Sequence, residues 1–387
     1  MTLNLNKSTW KRVAFGDVVK SLNATVKDAE AAGIDRVIGM EHLDPGMLKI
    51  SRWGSLEDGT TFTRRVRPGQ TLFGKRRAYQ RKAAYAEFEA ITSGDILVFE
   101  ADAAQLLPEL LPFLVQGDAF YDHALGTSAG SLSPRTNWQD LANFEFDLPP
   151  LDEQKRLTDL LSAVEAMQEA DRALLSSGQI AEVKLLQDAF HSDWPQETVA
   201  KLGDVQLGQQ LHPKYRTGPN MRRYLRVANV GDNCLYLHDV ASMDFSDPGA
   251  EKFRLEPGDL LLNEGQSIEL VGRCAMFRGE IPNCHMQKTL LRFRSGPYVV
   301  PDFALAWFRR CFHLGHFAEV AKRTTSMAHL TAVRFSAMPM PCPPMAEQHR
   351  VIEQVESVGR MLAATRDELH ATQRLRSSLL AEIFGGN

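Results

Sequence analysis

The densest chemistry in the chain lies between Arg64 and Lys82. Arg64, Arg65, Arg67, Lys75, Arg76, Arg77, Arg81 and Lys82 put eight cations into nineteen positions that hold no acid. Phe73 and Tyr79 are interleaved with them, and Tyr85 follows. A guanidinium offers two parallel donors, which match a phosphate or the O6/N7 edge of guanine. So many like charges repel one another unless a polyanion lies close by. A solvated basic face is the plainer reading of the same residues. The second half holds a smaller cluster, Lys214, Arg216, Arg222, Arg223 and Arg226, with Tyr215 and Tyr224. A third group is Lys322-Arg323-Thr324-Thr325-Ser326, matched in the first half by Thr127-Ser128 and Arg135. Short hydroxyls beside cations suit phosphate or base contact, and they suit a capped loop equally well.

Motifs for covalent chemistry do not hold up. Gly126-Thr127-Ser128-Ala129-Gly130 has the form of a hydrolase nucleophile elbow, which needs a core strand before it and a helix after it. Here Asp118 to His123 precedes it and a Ser/Pro loop follows, so no esterase is expected. Pro301-Asp302 with Glu319 to Lys322 has one residue too many for a nuclease P-D…E-x-K. Leu148-Pro149-Pro150-Leu151 lacks the polar and aromatic residues of an amino-methyltransferase motif. No Walker sequence, dinucleotide loop or H-E-x-x-H occurs. A binder with no catalytic or metal-ligating residues is expected.

The elements that must position these residues are organised around two long helices. Pro149 to Arg156 reads P-P-L-D-E-Q-K-R, and Pro343 to Arg350, 194 residues later, reads P-P-M-A-E-Q-H-R. Proline is tolerated at a helix start, and Glu153 and Glu347 suit the first turn, where the helix dipole favours negative charge. The first seam is Leu157, Leu161, Val164, Leu175, Leu185 and Ala189. The second is Val351, Val355, Val358, Leu362, Thr365, Leu369, Thr372, Arg376, Leu379 and Ile383, with Gly385-Gly386 as its stop. Each helix is roughly 60 Å long at 1.5 Å per residue, and its half-apolar seam calls for a partner helix. Ser176-Ser177-Gly178 is a candidate kink in the first.

The segments between the helices keep a common order. In the first, a strand around Asp35 to His42 and strands at Gly69 to Phe73 and Asp95 to Phe99 are expected. A helix over Leu106 to Gln116, a loop over Gly126 to Arg135 and a strand at Phe144 to Leu148 complete it. Residues between Asp17 and Gly33 read as helical. In the second, Leu202-Gly203-Asp204 stands for Phe15-Gly16-Asp17, and Tyr224 to Val230 for the strand near Val37. Pro257 to Leu262 stands for Pro68 to Phe73, and Phe303 to Phe312 for Leu106 to Gln116. The expected fold is α+β: two similar globular domains (1–148 and 193–342), each followed by a long helix (149–192 and 343–387). The helices are expected to pair as an antiparallel coiled coil.

Bulk properties set the frame. The 387 residues are enough for two or three domains, and the 44% hydrophobic content is that of a soluble protein. No apolar run approaches a membrane span, and the first residues lack a signal-peptide core. Five scattered cysteines fit a reducing cytoplasm. The net charge of −4 does not mark a nucleic-acid binder, so local charge decides.

Taken together, the two P-P-x-x-E-Q-x-R starts, the L-G-D opening and the midpoint duplication resemble the specificity (S) subunits of type I restriction–modification systems. Gly59 to Thr63, Pro68 to Lys82, Ser93-Gly94-Asp95 and Leu132 to Leu141 look like one recognition-domain type of that family. The resemblance covers essentially the whole chain. It implies a non-catalytic reader of double-stranded DNA, each domain taking one half of a split, asymmetric target. The paired helices would set the gap and dock two methyltransferase subunits and then restriction subunits. Glu153, Gln154, Arg156, Glu347, Gln348 and Arg350 would lie at the docking helix starts. S-adenosylmethionine, ATP and magnesium would sit on those partners, and no membrane is involved. A duplicated coiled-coil adaptor that binds only protein is the competing expectation.

Overall fold

The computed structural model describes residues 5–324 and 327–385. The chain forms two compact units, Met1–Ala173 with Arg366–Asn387, and Leu174–Thr365. Each unit holds one globular segment and one half of each long helix.

In the first unit, Lys11–Ala14 pairs antiparallel with Glu145–Leu148, so the globular segment closes on itself just before the helix. Its main sheet is antiparallel, in the order Val19–Leu22, Ile96–Ala101, Thr71–Gly74, Ala83–Tyr85. A second sheet sets Arg36–Ile38 parallel to Ala90–Thr92. The second unit repeats this plan. Gln196–Thr198 pairs with Pro339–Pro341. Its main sheet runs Gly203–Leu207, Leu290–Ser295, Asp259–Asn263, Cys274–Phe277. Met221–Leu225 lies parallel to His285–Met286. The matched Pro-Gly turns before Thr71 and Asp259 put Gly69 and Gly258 at φ 89° and 97°, where a side chain would be strained.

Three local expectations change. Residues between Asp17 and Gly33 are not a long helix, because Val19–Leu22 pairs in the main sheet. The helix expected over Leu106 to Gln116 shrinks to Leu111–Val115. Pro108 and Pro112 each disfavour a helical residue before them. The F-G-D and L-G-D tripeptides are not equivalent. Phe15 opens a short helix and its N–H bonds Phe144 O, whereas the N–H that bonds Met338 O belongs to Val199. Leu202 closes that second helix, one turn later.

The long helices span Leu151–Asp188 and Met345–Phe384, 38 and 40 residues without a break. In the first unit, Leu157, Leu161 and Val164 share a core with Leu379, Leu380, Ile383 and Phe384. Glu165 forms an ion pair with Arg376 there at 3.3 Å. In the second unit, Leu186 shares a core with Val351 and Ile352, and a Cβ on Gly178 would press on Leu362. The first half of one helix thus meets the last half of the other, so the pairing is antiparallel. Gly178 does not interrupt its helix; it allows close approach of the partner. Among the described residues, no helix is long and apolar enough to cross a membrane.

Candidate nucleic-acid interface

In the first unit the basic segment leaves the strand Thr71–Gly74 as Lys75-Arg76-Arg77 and becomes the floor for a hairpin. Lys75 N donates to Asp95 O at 3.0 Å, and Lys75 O accepts from Thr136 N at 3.0 Å. Arg77 N donates to Pro134 O at 2.7 Å, and Ala129 and Arg135 exchange bonds of 3.0 and 2.9 Å. These bonds set Arg76 beside Arg135. Arg76 Nε donates to Ser133 Oγ at 2.6 Å, and its guanidinium lies 3.5 Å from Asp95. Arg135 Nε donates to the other oxygen of Asp95 at 3.2 Å. One carboxylate thus orients two guanidiniums. The terminal nitrogens of Arg135 make no hydrogen bond among the described residues. Such a fork is what a phosphate or guanine edge requires. Tyr79, two residues past Arg77, is 55% exposed, and Leu132 at the hairpin tip is 91% exposed.

Arg77 and Arg81 both adopt φ 53°, a conformation uncommon for non-glycine residues and one that a surrounding structure must hold in place. Arg81 pairs with Asp118 and covers the ring of Tyr121 at 4.6 Å. Of the other predicted cations Arg67 is exposed, while Arg64, Arg65 and Lys82 are half-buried and held by neighbours. Arg64 donates to Ile96 O, and burial pushes its pKa down. Arg65 bonds both oxygens of Glu89 at 2.9 and 3.0 Å, and Lys82 Nζ donates to Met40 O at 2.6 Å. Like-charge repulsion is relieved by Asp95, Glu89 and Asp118, three acids from outside the basic stretch. Ser128 Oγ donates to Ala124 O at 2.7 Å, after a helix rather than a strand, so it ends a helix and is no elbow.

In the second unit the predicted residues do not gather in one place. Lys214 pairs with Asp247 at 3.2 Å, and Tyr215 donates to the same oxygen at 2.5 Å. Hydrogen bonding with Tyr215 and then with Asp247 raises the Lys214 pKa. Arg216, Arg222 and Arg223 are exposed, the last two on the strand Met221–Leu225. Lys322 and Arg323 are exposed on a separate hairpin that pairs with Ala328–His329. Thr325 and Ser326 lie outside the described residues. Thr127 and Ser128 are not the counterparts of this loop, since the hairpin bonds match Ala129 to Lys322. Among the described residues no cluster of three or more His, Cys, Asp or Glu side chains could hold a metal ion.

The helix starts are built alike. Gln154 accepts from Leu107 N at 2.9 Å and donates to Gln105 O and Pro149 O at 2.8 and 2.9 Å. Gln348 accepts from Val300 N at 2.9 Å and donates to Tyr298 O and Pro343 O at 2.9 and 3.0 Å. Both are completely buried. Glu153 accepts from Trp10 Nε1 at 2.8 Å, and Glu347 pairs with Arg350. Arg156 is exposed. The glutamine of each P-P-x-x-E-Q motif therefore ties its helix to its own globular segment. Gln154→Leu and Gln348→Leu should each cost about 1–3 kcal/mol per backbone group left unsatisfied. Arg156→Ala should stay within about 0.5 kcal/mol. Urea unfolding of the three variants measures both, and equal midpoints would remove the clamp.

Residues 7–176 match the family model described as the type I restriction modification DNA specificity domain. The chain is 23% identical over 323 residues to the specificity subunit of the type I restriction enzyme EcoKI of Escherichia coli K12, covering 74% of this chain and 68% of that one. It is 20% identical over 166 residues to a putative type I restriction enzyme MjaX specificity subunit of Methanocaldococcus jannaschii. That match covers 41% of this chain and spans only 38% of the relative. The fold is similar to that of a type I restriction–modification S subunit from M. genitalium, with TM-score 0.59, 13% identity and full coverage of both chains. It is also similar to a chain from a study of complex assembly and conformational transition of the type I R-M system, with TM-score 0.63, 18% identity and 98% coverage of each.

Proposed function

We propose that the chain is the DNA-reading specificity subunit of a type I restriction–modification complex, the class of protein whose DNA specificity domain residues 7–176 match. Residues 1–148 and 193–342 act as two target-recognition domains for the halves of a split, asymmetric site. Residues 149–192 and 343–387 form the spacer that sets the gap. Two methyltransferase subunits and then restriction subunits dock on the helices and bring S-adenosylmethionine, ATP and magnesium with them. This chain itself is non-catalytic and works in the cytoplasm. At the helix starts, exposed Arg156 and Arg350 are the side chains that can touch a partner. Gln154 and Gln348 contribute by holding the helix in place.

The observation that carries the reading is the carboxylate-oriented pair Arg76 and Arg135, held on a hairpin edge. Orientation by Asp95 reduces the side-chain freedom that binding must remove. Arg76→Ala and Arg135→Ala are each expected to lose about 1–3 kcal/mol and relax one base position if the arginine reads a base. An arginine on phosphate instead weakens all sequences alike and lowers the salt slope by about one. The measurement is a salt series of duplex binding by the chain assembled with its methyltransferase subunits. A complex with no salt-dependent DNA binding would leave the protein-only adaptor as the better reading.

A further inference from the structure

We infer that the second unit reads DNA with the edge formed by the strands Gly265–Gln266, Ala328–His329 and Lys322–Arg323, and that Gln266 and His329 are its base-reading side chains. The inference rests on the DNA-reading function proposed above. It adds residues that local charge does not mark.

The backbone supplies the correspondence. In the first unit Lys75 N bonds Asp95 O and Thr136 N bonds Lys75 O. In the second, Glu264 N bonds Thr289 O at 2.9 Å and Leu330 N bonds Glu264 O at 2.7 Å. Arg76 lies opposite Arg135, and Gly265 lies opposite His329. Arg135 pairs in turn with Ala129, and His329 with Lys322. Both segments leave the same strand of the main sheet, Thr71–Gly74 in one unit and Asp259–Asn263 in the other. Position by position, Lys75-Arg76-Arg77 becomes Glu264-Gly265-Gln266, and Arg135 becomes His329. The frame is retained and the chemistry is replaced, as expected of two readers with different half-sites.

The side chains fit that role. A Cβ on Gly265 would stand 3.1 Å from the His329 ring, so the glycine makes room for the imidazole. His329 Nδ1 lies 3.4 Å from Glu264 Oε1, so a carboxylate orients this ring as Asp95 orients Arg135. The other ring nitrogen, Nε2, makes no hydrogen bond among the described residues. Gln266 is half-buried, and among the described residues its only side-chain bond is from Ser267 N to Oε1 at 3.1 Å. Its amide keeps the donor–acceptor pair that matches N6 and N7 of adenine. Lys322 and Arg323, exposed on the outer strand, are placed to hold phosphates while the inner pair reads bases.

The test uses the chain assembled with its methyltransferase subunits. The methylation motif of the wild-type complex is determined first. Duplexes carrying that motif, and each single-base-pair change in it, are then the binding probes. Gln266→Ala and His329→Ala should each lower affinity for the motif by roughly five- to a hundred-fold and lose discrimination at a position in one half-site only. Retained discrimination in the other half-site reports a folded chain. Arg222→Ala with Arg223→Ala should leave every position discriminated. Unchanged discrimination in both Gln266→Ala and His329→Ala would overturn the assignment, as would an equal loss against all sequences. A wild-type complex that binds no duplex selectively would instead overturn the DNA-reading function itself.

Discussion

Replacing Arg309 with methionine is expected to destabilise the second unit by about 3–5 kcal/mol, the cost of leaving buried charge without its partner. Arg309 bonds both oxygens of Glu182 on the central helix, at 2.7 and 3.0 Å. It also bonds both oxygens of Asp232, at 2.9 and 3.3 Å, and His313 bonds Asp232 at 3.0 Å. Burial pushes the Asp232 carboxyl up, but hydrogen bonds from His313 and Arg309 outweigh it and hold the group well below the usual range. Because the folded-state pKa is depressed, this stability is present above the unfolded value near 3.9 and is lost as pH falls through the folded one. Arg309→Met should shrink that acid-side loss as well as the total. Urea unfolding at neutral pH and in the acid range measures both. Removing both charges, with Glu182→Leu added, should recover part of the deficit, since fewer buried charges then stand alone. A single variant within about 1 kcal/mol of wild type would mean that water already satisfies these groups.

The first unit has a related lock with the arginine on the opposite side. Glu182 stands 28 residues beyond Gln154, and Arg376 stands 28 beyond Gln348. On the globular side, Gln116 is nine residues past Leu107 and Arg309 is nine past Val300, the two backbone groups the glutamines hold. Gln116 bonds Arg376, as Arg309 bonds Glu182. In one unit the helix supplies the arginine; in the other the globular segment does. If the second globular segment docked on the helix half that carries Arg376, two buried arginines would face each other. The reversal therefore penalises the wrong docking of a duplicated protein.

This also shows how far the sequence could be read. The duplication was legible because strand order, Pro-Gly turns and the two P-P-x-x-E-Q starts survive as local patterns. The second seam was legible along most of its length: Val351, Leu362, Thr365, Leu369, Thr372, Arg376, Leu379 and Ile383 are buried, and Val355 and Val358 half-buried. The first seam was legible only at its two ends, Leu157, Leu161 and Val164 at one and Ala189 at the other. Leu175 and Leu185 are half-buried, and Glu165, Gln168 and Glu182 take seam places instead. Hydrophobic periodicity cannot flag such positions, because Glu165 and Glu182 are buried only by virtue of arginines far along the chain. The candidate site was half-legible for a related reason. Charge density located Arg76, and the match to the Lys322 to Ser326 group brought in Arg135, but neither marked Asp95, which lay in the Ser93-Gly94-Asp95 turn. In the second unit charge pointed to Arg222 and Arg223, whereas the equivalent edge carries a glutamine and a histidine.

Lengthening both helices together should widen the gap in the recognised site. Each helix has a stretch between its contact in the first unit, Glu165 with Arg376, and its contact in the second, Gly178 with Leu362. Seven residues inserted after Leu175 and seven after Leu369 fall within those stretches and preserve the pairing at both ends. A heptad adds roughly 10 Å of helix and turns its far end by only about 20°. Ten ångströms corresponds to about three base pairs. The methylation motif should therefore keep both half-sites and gain up to about three positions between them. Three base pairs also rotate one half-site by roughly a third of a turn, so weaker binding is expected even when the longer gap is used. An insertion in one helix alone leaves seven residues without partners and should abolish recognition of either gap. The readout is the motif methylated by each assembled complex. An active complex with both insertions and an unchanged gap would show that the helices do not set the distance.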